Sequence, residues 1–437
     1  MQALAICQRM VLRLAQAVRR ALASPPTSRD ESMKYALFAG LGAALLTAGP
    51  AAAQDGFAVY LAGFEAEASA RGYEPALVES LFPEGVAVNT DAVRLSQAQP
   101  EFIRPVWEYL DGAVSNQRVA DGFERMAANA PLLEQIEQRY GVSRHVLVAI
   151  WGLESAYGAV QGDHDAPTAL ATLGWSGWRP DFVKEELFHT LDILRDGQAR
   201  REQLKGSWAG AMGQTQFMPS SYRRFAQDWN GDGLKDVWSS NADALASAAH
   251  YLKEAGWITG ATPAAEVSLP AGFDWSTSEQ EKTVREWLLQ GVQRTGNMAW
   301  SPEDVELTAR LVAPAGASGP AFLTTDNFRV IMAYNNSTSY ALAVSLLAQR
   351  LAGGPGVLGE WPRTEPALSV AEAEEIQRLL TAQGYDTQGV DGAIGPNTRA
   401  AIRAWQTANG MIPDGAASAE FRTRLRAGPA SVTTATE

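Results

Sequence analysis

The chain has 437 residues, 46% of them hydrophobic, with 13 tryptophans and a formal net charge of −13. This length and apolar content predict a globular protein with more than one domain and exclude a disordered chain. Removing residues 1–53 takes away six basic and two acidic residues and leaves −17. Because phosphate binding requires a basic surface, that balance argues against nucleic acid as the main partner. The single cysteine, Cys7, lies in the removed segment, so the remainder has no thiol for catalysis or disulfides.

Residues 33–53 have the three parts of a secretory signal peptide. The apolar stretch 35–49 follows Lys34, and a small-residue cleavage site ends at Ala53. About 15 apolar residues are too few to span a bilayer, and no cysteine follows them, so we expect no stable membrane anchor. We therefore predict an exported, periplasmic protein and assign no role to the N-terminal extension 1–32.

The chain is predicted to be mainly α from residue 57 to about 352. Helices are predicted over 134–140, 244–255 and 340–351, with Gly141, Gly256 and Gly353 as the residues that can end them. Runs of alternating β-branched residues are few. Short strands or loops are expected near 261–314.

Glu154 lies in the sequence Trp-Gly-Leu-Glu-Ser-Ala-Tyr-Gly, directly after the apolar run 146–150. Ser143 can cap the helix that would carry it. Apolar burial, together with the partial negative charge at that helix's C-terminal end, predicts a raised pKa for the Glu154 carboxyl. A carboxylic acid protonated near neutral pH suits general acid catalysis, most commonly of glycosidic bond cleavage. The alternative is a buried structural carboxylate held by a hydrogen bond.

Residues 207–222 read Ser-Trp-Ala-Gly-Ala-Met-Gly-Gln-Thr-Gln-Phe-Met-Pro-Ser-Ser-Tyr. The small residues Gly210, Ala211 and Gly213 allow the backbone to approach either a ligand or another helix closely. The amide side chains beside them can bind acetamido or hydroxyl groups of a sugar, and Trp or Tyr rings can stack on pyranose faces. The segment therefore fits a carbohydrate site, with close helix packing as the alternative.

With these two motifs and Tyr-Asn-Asn-Ser-Thr-Ser-Tyr-Ala at 334–341, the sequence resembles the lytic murein transglycosylase B family. The resemblance covers about 57–351 and implies a lysozyme-like catalytic domain over 54–352. It implies that Glu154 protonates the oxygen between N-acetylmuramic acid and N-acetylglucosamine, then takes the proton of the muramic acid C6 hydroxyl. The product is a 1,6-anhydro sugar, formed without water. The implied substrate-binding residues are Ser207, Gln216, Tyr251, Tyr334, Asn335 and Tyr340.

A second carboxylate does not accompany Glu154 at a fixed local spacing, although ordinary glycosidases require one. The neighbours Asp163, Asp165, Glu185 and Glu186 are expected at the solvated surface. A lone acid therefore favours transglycosylation. Two alternatives stay open: a muramidase that hydrolyses the same bond with water, and a non-catalytic peptidoglycan-binding scaffold.

Residues 228–236 resemble the first part of an EF-hand loop, with Gly233 at the sharp-turn position. Ser239 stands where a bidentate Glu is expected, so a later acidic residue would have to close the loop, as in some members of the resembling family. The candidate calcium ligands are Asp228, Asn230, Asp232, Leu234 and Asp243. The alternative is an Asx-rich turn closed by its own hydrogen bonds. Any calcium would be structural, and no cofactor is expected for catalysis.

Glycine and proline occupy seven of the 14 positions from Gly353 to Pro366, which predicts a flexible linker over 353–367. Residues 368–427 then resemble the three-helix peptidoglycan-binding domain attached to many wall hydrolases. The residues that carry this resemblance include Ile376, Gly384, Tyr385, Asp391, Gly392, Ile402, Trp405, Asp414 and Gly415. Such a module would raise the local enzyme concentration on the polymer. The tail 428–437 is expected to be disordered.

The expected partner is the glycan strand of peptidoglycan, with wall-synthesis enzymes as further candidates. We expect a monomer.

Overall fold

The computed structural model describes residues 50–97 and 104–428. The predicted N-terminal extension, the signal peptide up to residue 49 and the tail from residue 429 lie outside the described residues. Within the described ranges, no helix is both long and apolar enough to span a membrane.

The described residues form a mainly α protein with short strands, which confirms the predicted fold class. The helices are α1 (Pro50–Ala70), α2 (Pro75–Leu81), α3 (Thr90–Gln97), α4 (Val106–Ala113), α5 (Asn116–Ala128), α6 (Ala130–Tyr140), α7 (Arg144–Ser155), α8 (Ala166–Trp175), α9 (Pro180–Arg195), α10 (Pro219–Phe225), α11 (Asn241–Glu254), α12 (Val284–Leu289), α13 (Pro302–Val305), α14 (Asp326–Tyr334), α15 (Thr338–Leu351), α16 (Val370–Ala382), α17 (Pro396–Ala408) and α18 (Ala419–Ala427). The strands are β1 (His164–Asp165), β2 (Lys205–Gly206), β3 (Ala264–Ser268), β4 (Lys282–Thr283), β5 (Gln293–Arg294), β6 (Thr308–Val312) and β7 (Ala321–Thr324).

Helices α7 and α15 form the centre of the main core. The α7 residues 146–151 are all at most 3% exposed, and α15 is buried from residue 340 to 348. A helix that is apolar on all sides requires such burial. Gly141 ends α6 with a left-handed backbone, and the Ser143 hydroxyl caps α7 by accepting from the His145 amide at 3.3 Å.

Five of the strands form one antiparallel sheet in the order β4-β6-β7-β3-β5. Four of these strands lie in the region 261–314, where the sequence predicts short strands or loops, and β7 follows that region at Ala321–Thr324. One face of the sheet packs on a small apolar core with Trp275 and Trp287, and Phe322 of β7 reaches the main core. The sheet therefore forms a lobe attached to the helical body.

Residues 353–366 contain no helix or strand, yet they are held against this sheet. The carboxylate of Glu266 on β3, which is 4% exposed, accepts from the amides of Leu358 at 2.8 Å and Gly359 at 2.7 Å. Both of its oxygens thus anchor the segment. Glycine and proline remove regular structure but leave the backbone amides free to bind elsewhere, so the segment predicted as a linker is attached to the sheet, and its flexibility stays a prediction.

Two side chains of the same segment add to this attachment. The Trp361 ring lies nearly parallel to the Phe322 ring with centroids 6.3 Å apart. Arg363 donates two hydrogen bonds to the Asp111 carboxylate, at 2.7 and 2.9 Å. The segment therefore bridges the sheet lobe and helix α4.

Helices α16, α17 and α18 form the small C-terminal domain that the sequence predicts. Its core residues are Ile376, Leu380, Ile402, Trp405, Phe421 and Leu425. This domain also contacts the sheet lobe. The Asp414 carboxylate accepts from the Ala317 amide at 2.9 Å, and Arg403 pairs with Glu279 at 2.8 Å.

Candidate active site

Glu154 lies in the last turn of α7 and is half-buried. Directly after α7, Ala156 and Tyr157 have left-handed backbones with φ of 47° and 60°. The Tyr157 ring folds back under the helix, so that a Cβ on Gly152 would lie 2.6 Å from it. Left-handed non-glycine residues store strain that the surrounding structure must hold. Glu154 is thus fixed between a buried helix and a sharp turn.

Tyr340 contacts Glu154 directly. Its hydroxyl donates to Glu154 Oε1 at 2.5 Å from the first turn of α15, where the Ser337 side chain caps the helix. Burial and the negative charge of Glu154 raise the pKa of the Tyr340 phenol well above its ordinary value. The phenol therefore remains a donor at neutral pH and orients the carboxyl group. The raised pKa that the sequence suggests for Glu154 stays a prediction.

Tyr334 and Tyr251 form an aromatic wall next to this pair. Their ring centroids are 4.9 Å apart. Tyr334 donates to the Thr215 carbonyl at 2.5 Å and Tyr251 to the Ala333 carbonyl at 2.6 Å. Burial raises the pKa of the Tyr334 phenol well above its ordinary value, and the negative charge of Glu154 acts in the same direction. Asn335 is exposed just after α14.

Ser207 and Gln216 belong to a loop that is ordered by its own backbone. The Ser207 hydroxyl accepts from the Ala211 amide at 3.1 Å. Gln216 has a left-handed backbone with φ of 50°, and its Nε2 donates to the Gln161 and Gly213 carbonyls at 2.9 and 2.8 Å. A substrate contact by Gln216 would consequently be made by its carbonyl oxygen.

The glycines of this loop lie against protein atoms. A Cβ on Gly210 would lie 2.5 Å from Leu170, and one on Gly213 would lie 2.7 Å from the Val237 carbonyl. Both glycines also have positive φ. Close packing, one of the two readings left open by the sequence, therefore explains them.

Three buried residues that sequence reasoning missed connect α7 to the loop. The Ser155 hydroxyl donates to the Gln214 carbonyl at 2.6 Å and accepts from the Gly158 amide at 2.9 Å. Gln214 Oε1 accepts from Trp151 Nε1 at 2.9 Å, and its Nε2 donates to the Trp238 carbonyl at 3.3 Å. The sequence signal that could have identified them is their position inside the Glu154 motif and the 207–222 motif. Trp151, Ser155 and Gln214 thus set the position of the Glu154 helix end relative to the loop.

The acidic neighbours of Glu154 in sequence have other roles. The predicted solvated position is wrong for Glu186, which is 2% exposed and binds the amide and hydroxyl of Ser220 at 2.8 and 2.6 Å. Asp165 caps α8 and pairs with Arg201 at 2.5 Å, and that pair helps to hold the pKa of Asp165 below its usual range despite burial. Asp163 is exposed, as expected.

The loop at 228–234 is closed by its own hydrogen bonds. Asp228 accepts from the amides of Gly231 and Gly233 at 2.7 and 2.9 Å, one on each carboxylate oxygen. The Asn230 side chain turns its amide nitrogen, not its oxygen, towards Asp232 Oδ2 at 2.9 Å. This arrangement is that of an Asx-rich turn.

Asp243 and Leu234 complete the proposed ligand set. Asp243 is fully buried, burial raises its pKa, and its two oxygens accept from the amides of Trp229 and Asp236, both at 2.9 Å. Leu234 is 44% exposed. In the described part of the chain, no three His, Cys, Asp or Glu side chains come together as a group that could hold a metal ion. The five candidate ligands therefore do not form a converged set in this structure, and a calcium ion stays a prediction.

Residues 56–349 match the transglycosylase SLT domain family, and residues 369–425 match the putative peptidoglycan binding domain family. The first match covers well over half of the chain. The chain belongs to the lytic transglycosylase family. The resemblance that the sequence motifs carry is thereby confirmed, together with the enzyme class.

Relatives of this transglycosylase include membrane-bound lytic murein transglycosylase B of Escherichia coli, which is 36% identical over 226 residues. That match covers 50% of this chain and 60% of the E. coli protein. SltB3 of Pseudomonas aeruginosa, crystallised with NAG-anhNAM-pentapeptide, is 44% identical with a TM-score of 0.81 over 85% of this chain and 99% of its own. The E. coli lytic transglycosylase Slt35, crystallised with calcium, is 28% identical with a TM-score of 0.57, over 67% and 92%.

Proposed function

We propose that this transglycosylase cleaves the β-1,4 bond between N-acetylmuramic acid and N-acetylglucosamine in peptidoglycan and forms a 1,6-anhydro muramic acid end. The observation that carries the proposal is the pairing of Glu154 with the Tyr340 phenol beside the loop 207–216. It is supported by SltB3, whose crystallised ligand contains an anhydro sugar. One acid positioned by a neutral donor fits a reaction in which a single group gives and then takes a proton.

In the first step, Glu154 protonates the bridging oxygen and the bond to the muramic acid C1 breaks. The substrate's own 2-acetamido group helps to stabilise the cationic centre. Glu154 is then an anion, and the Tyr340 hydroxyl donates a charge-assisted hydrogen bond to it. In the second step, the carboxylate takes the proton of the C6 hydroxyl, whose oxygen closes on C1. The acid is regenerated and water is not consumed.

The remaining assignments follow from this reaction. The candidate substrate-binding residues Ser207, Gln216, Tyr251, Tyr334 and Asn335 would hold the sugars that flank the cleaved bond. The C-terminal domain would keep the enzyme on the polymer. We propose that the protein acts in the periplasm after export, as a monomer, with wall-synthesis enzymes as further partners.

The proposal is tested by digesting purified sacculi with the chain from residue 54 and analysing the products by mass spectrometry. A Glu154→Gln variant serves as the matched control, because the amide keeps the shape of the side chain but cannot donate an acidic proton. Anhydromuropeptides from the unmodified enzyme alone would support the proposal. Reducing-end products would identify a muramidase instead, and no products with binding retained would identify a scaffold.

A further inference from the structure

Trp178 and Trp208 form an aromatic pair away from Glu154 in the chain, and we call these two residues the tryptophan platform. Trp178 lies in the turn between α8 and α9, and Trp208 directly follows Ser207. Their ring centroids are 6.2 Å apart at an interplanar angle of 64°. Both residues are half-buried, so neither is fully enclosed by the protein.

The Trp178 side of the platform is held rigidly. Its amide donates to the Leu173 carbonyl at 2.9 Å, and the next residue, Arg179, has a left-handed backbone with φ of 42°. The Arg179 guanidinium lies 4.1 Å from the Phe182 ring centroid and 5.5 Å from that of Trp178. Non-glycine residues in this conformation persist only where the surroundings fix them, and they concentrate at ligand clamps.

The Trp208 side is supported by the core beneath it. Trp208 and Trp178 both pack on the apolar cluster formed by α1, α8 and α9. Leu170 of this cluster lies directly under Gly210, two residues after Trp208. The platform is thus supported by the core and only partly buried, as a preformed binding surface requires.

The platform is continuous with the candidate active site. Ser207, the neighbour of Trp208, is bonded to Ala211, and Met212 pairs with Phe217 through two backbone hydrogen bonds of 2.8 and 2.9 Å. The Phe217 ring lies 5.9 Å from the ring of Tyr334, which belongs to the aromatic wall of the candidate site. One ordered loop therefore has the platform at one end and the wall of the Glu154 site at the other.

We propose that the tryptophan platform binds a pyranose ring of the same glycan strand, beyond the two sugars that flank the cleaved bond. The inference rests on the proposed function, since it assigns the platform to that substrate. Rigid aromatic faces with one guanidinium beside them suit an uncharged, hydroxylated ring that offers apolar C–H groups and hydrogen-bond acceptors. The platform makes the enzyme prefer longer glycan strands.

The test measures binding separately from catalysis. In a Glu154→Gln background, Trp178→Ala and Trp208→Ala are titrated calorimetrically with a peptidoglycan-derived tetrasaccharide and an octasaccharide. Each alanine variant is expected to weaken octasaccharide binding by about tenfold, which equals roughly 1.4 kcal/mol, and to leave tetrasaccharide binding unchanged. Trp178→Phe should restore part of the affinity. Leu289→Ala, at a residue 82% exposed on the sheet lobe, serves as a surface control and should change nothing.

Equal affinity of parent and alanine variants for the octasaccharide would overturn the proposal. An equal loss for both sugars, with the melting temperature unchanged, would also overturn it, because the platform would then belong to the central site. Failure of the proposed function is a different result, namely the absence of anhydro products from the unmodified enzyme.

Discussion

The Glu154 site and the segment 353–366 each contain a glutamate contact made by hydrogen bonds, but Glu154 and Glu266 have different roles. Glu266 gives both oxygens to backbone amides and is 4% exposed, so it fixes the chain. Glu154 is half-buried and is held by a side-chain hydroxyl. A carboxylate with both oxygens bonded to backbone amides holds the chain in place, whereas the proposed function requires a carboxyl group that a side-chain hydroxyl orients and that can still exchange a proton.

The comparison is tested most strongly by exchanging each glutamate for glutamine. Glu154→Gln should lower the rate of anhydro product formation by about 10²–10⁴-fold, the usual contribution of a general acid or base, without changing the melting temperature. Glu266→Gln should instead lower the stability of the protein and leave its rate of product formation unchanged. One of the two amides loses its acceptor, which lowers the free energy of unfolding by about 1–3 kcal/mol while turnover is retained. Loss of activity in both variants would show that the distinction is false.

Tyr340→Phe removes the hydroxyl that orients Glu154 and keeps the ring. We expect kcat to fall by about tenfold or more with little change in KM, because the lost hydrogen bond acts in the second step on the carboxylate. Since the pKa of Tyr340 is raised, ionisation of this phenol should not reduce the activity of the unmodified enzyme below about pH 10. Steady-state kinetics from pH 5 to about 10 measure both effects, and an unchanged kcat in the variant would remove Tyr340 from the mechanism.

Gln214→Met tests whether the buried link between α7 and the loop positions the site. The change leaves Trp151 Nε1 without its acceptor, so the free energy of unfolding should drop by about 1–3 kcal/mol. The factor by which kcat falls should be larger than the factor by which KM changes. Thr215→Val is the matched control. The Thr215 hydroxyl is buried and has no hydrogen-bond partner in the described structure, so its removal should be nearly neutral by thermal denaturation. Equal effects of the two variants would contradict a specific role for Gln214.

Calcium is expected to have the smallest effect. The oxygens of Asp228 and Asp243 accept from backbone amides, so hydrogen bonds already help to hold the loop. Isothermal titration of metal-stripped protein measures uptake directly. Absence of uptake would remove the calcium prediction, whereas binding with a rise in melting temperature and unchanged kcat would establish a structural ion.

The sequence predicts the mainly α fold and the family because both depend on local patterns, namely buried helices such as α7 and long motifs such as 207–222. The sequence alone does not predict contacts between segments that are distant in the chain. The burial of Glu186 against Ser220 depends on how α9 and α10 pack, and the attachment of 353–366 depends on Glu266, about 90 residues away in the chain. Composition indicates the lack of regular structure in a segment but not the partners of its backbone.

The central claim is that the C6 hydroxyl of the substrate, rather than water, attacks C1. It is tested most directly by cleaving a defined peptidoglycan tetrasaccharide in water enriched in ¹⁸O and determining the mass of the muramic acid product by mass spectrometry. The account predicts an anhydro product that carries no ¹⁸O. A product with a reducing end labelled at C1 would contradict the account and identify hydrolysis.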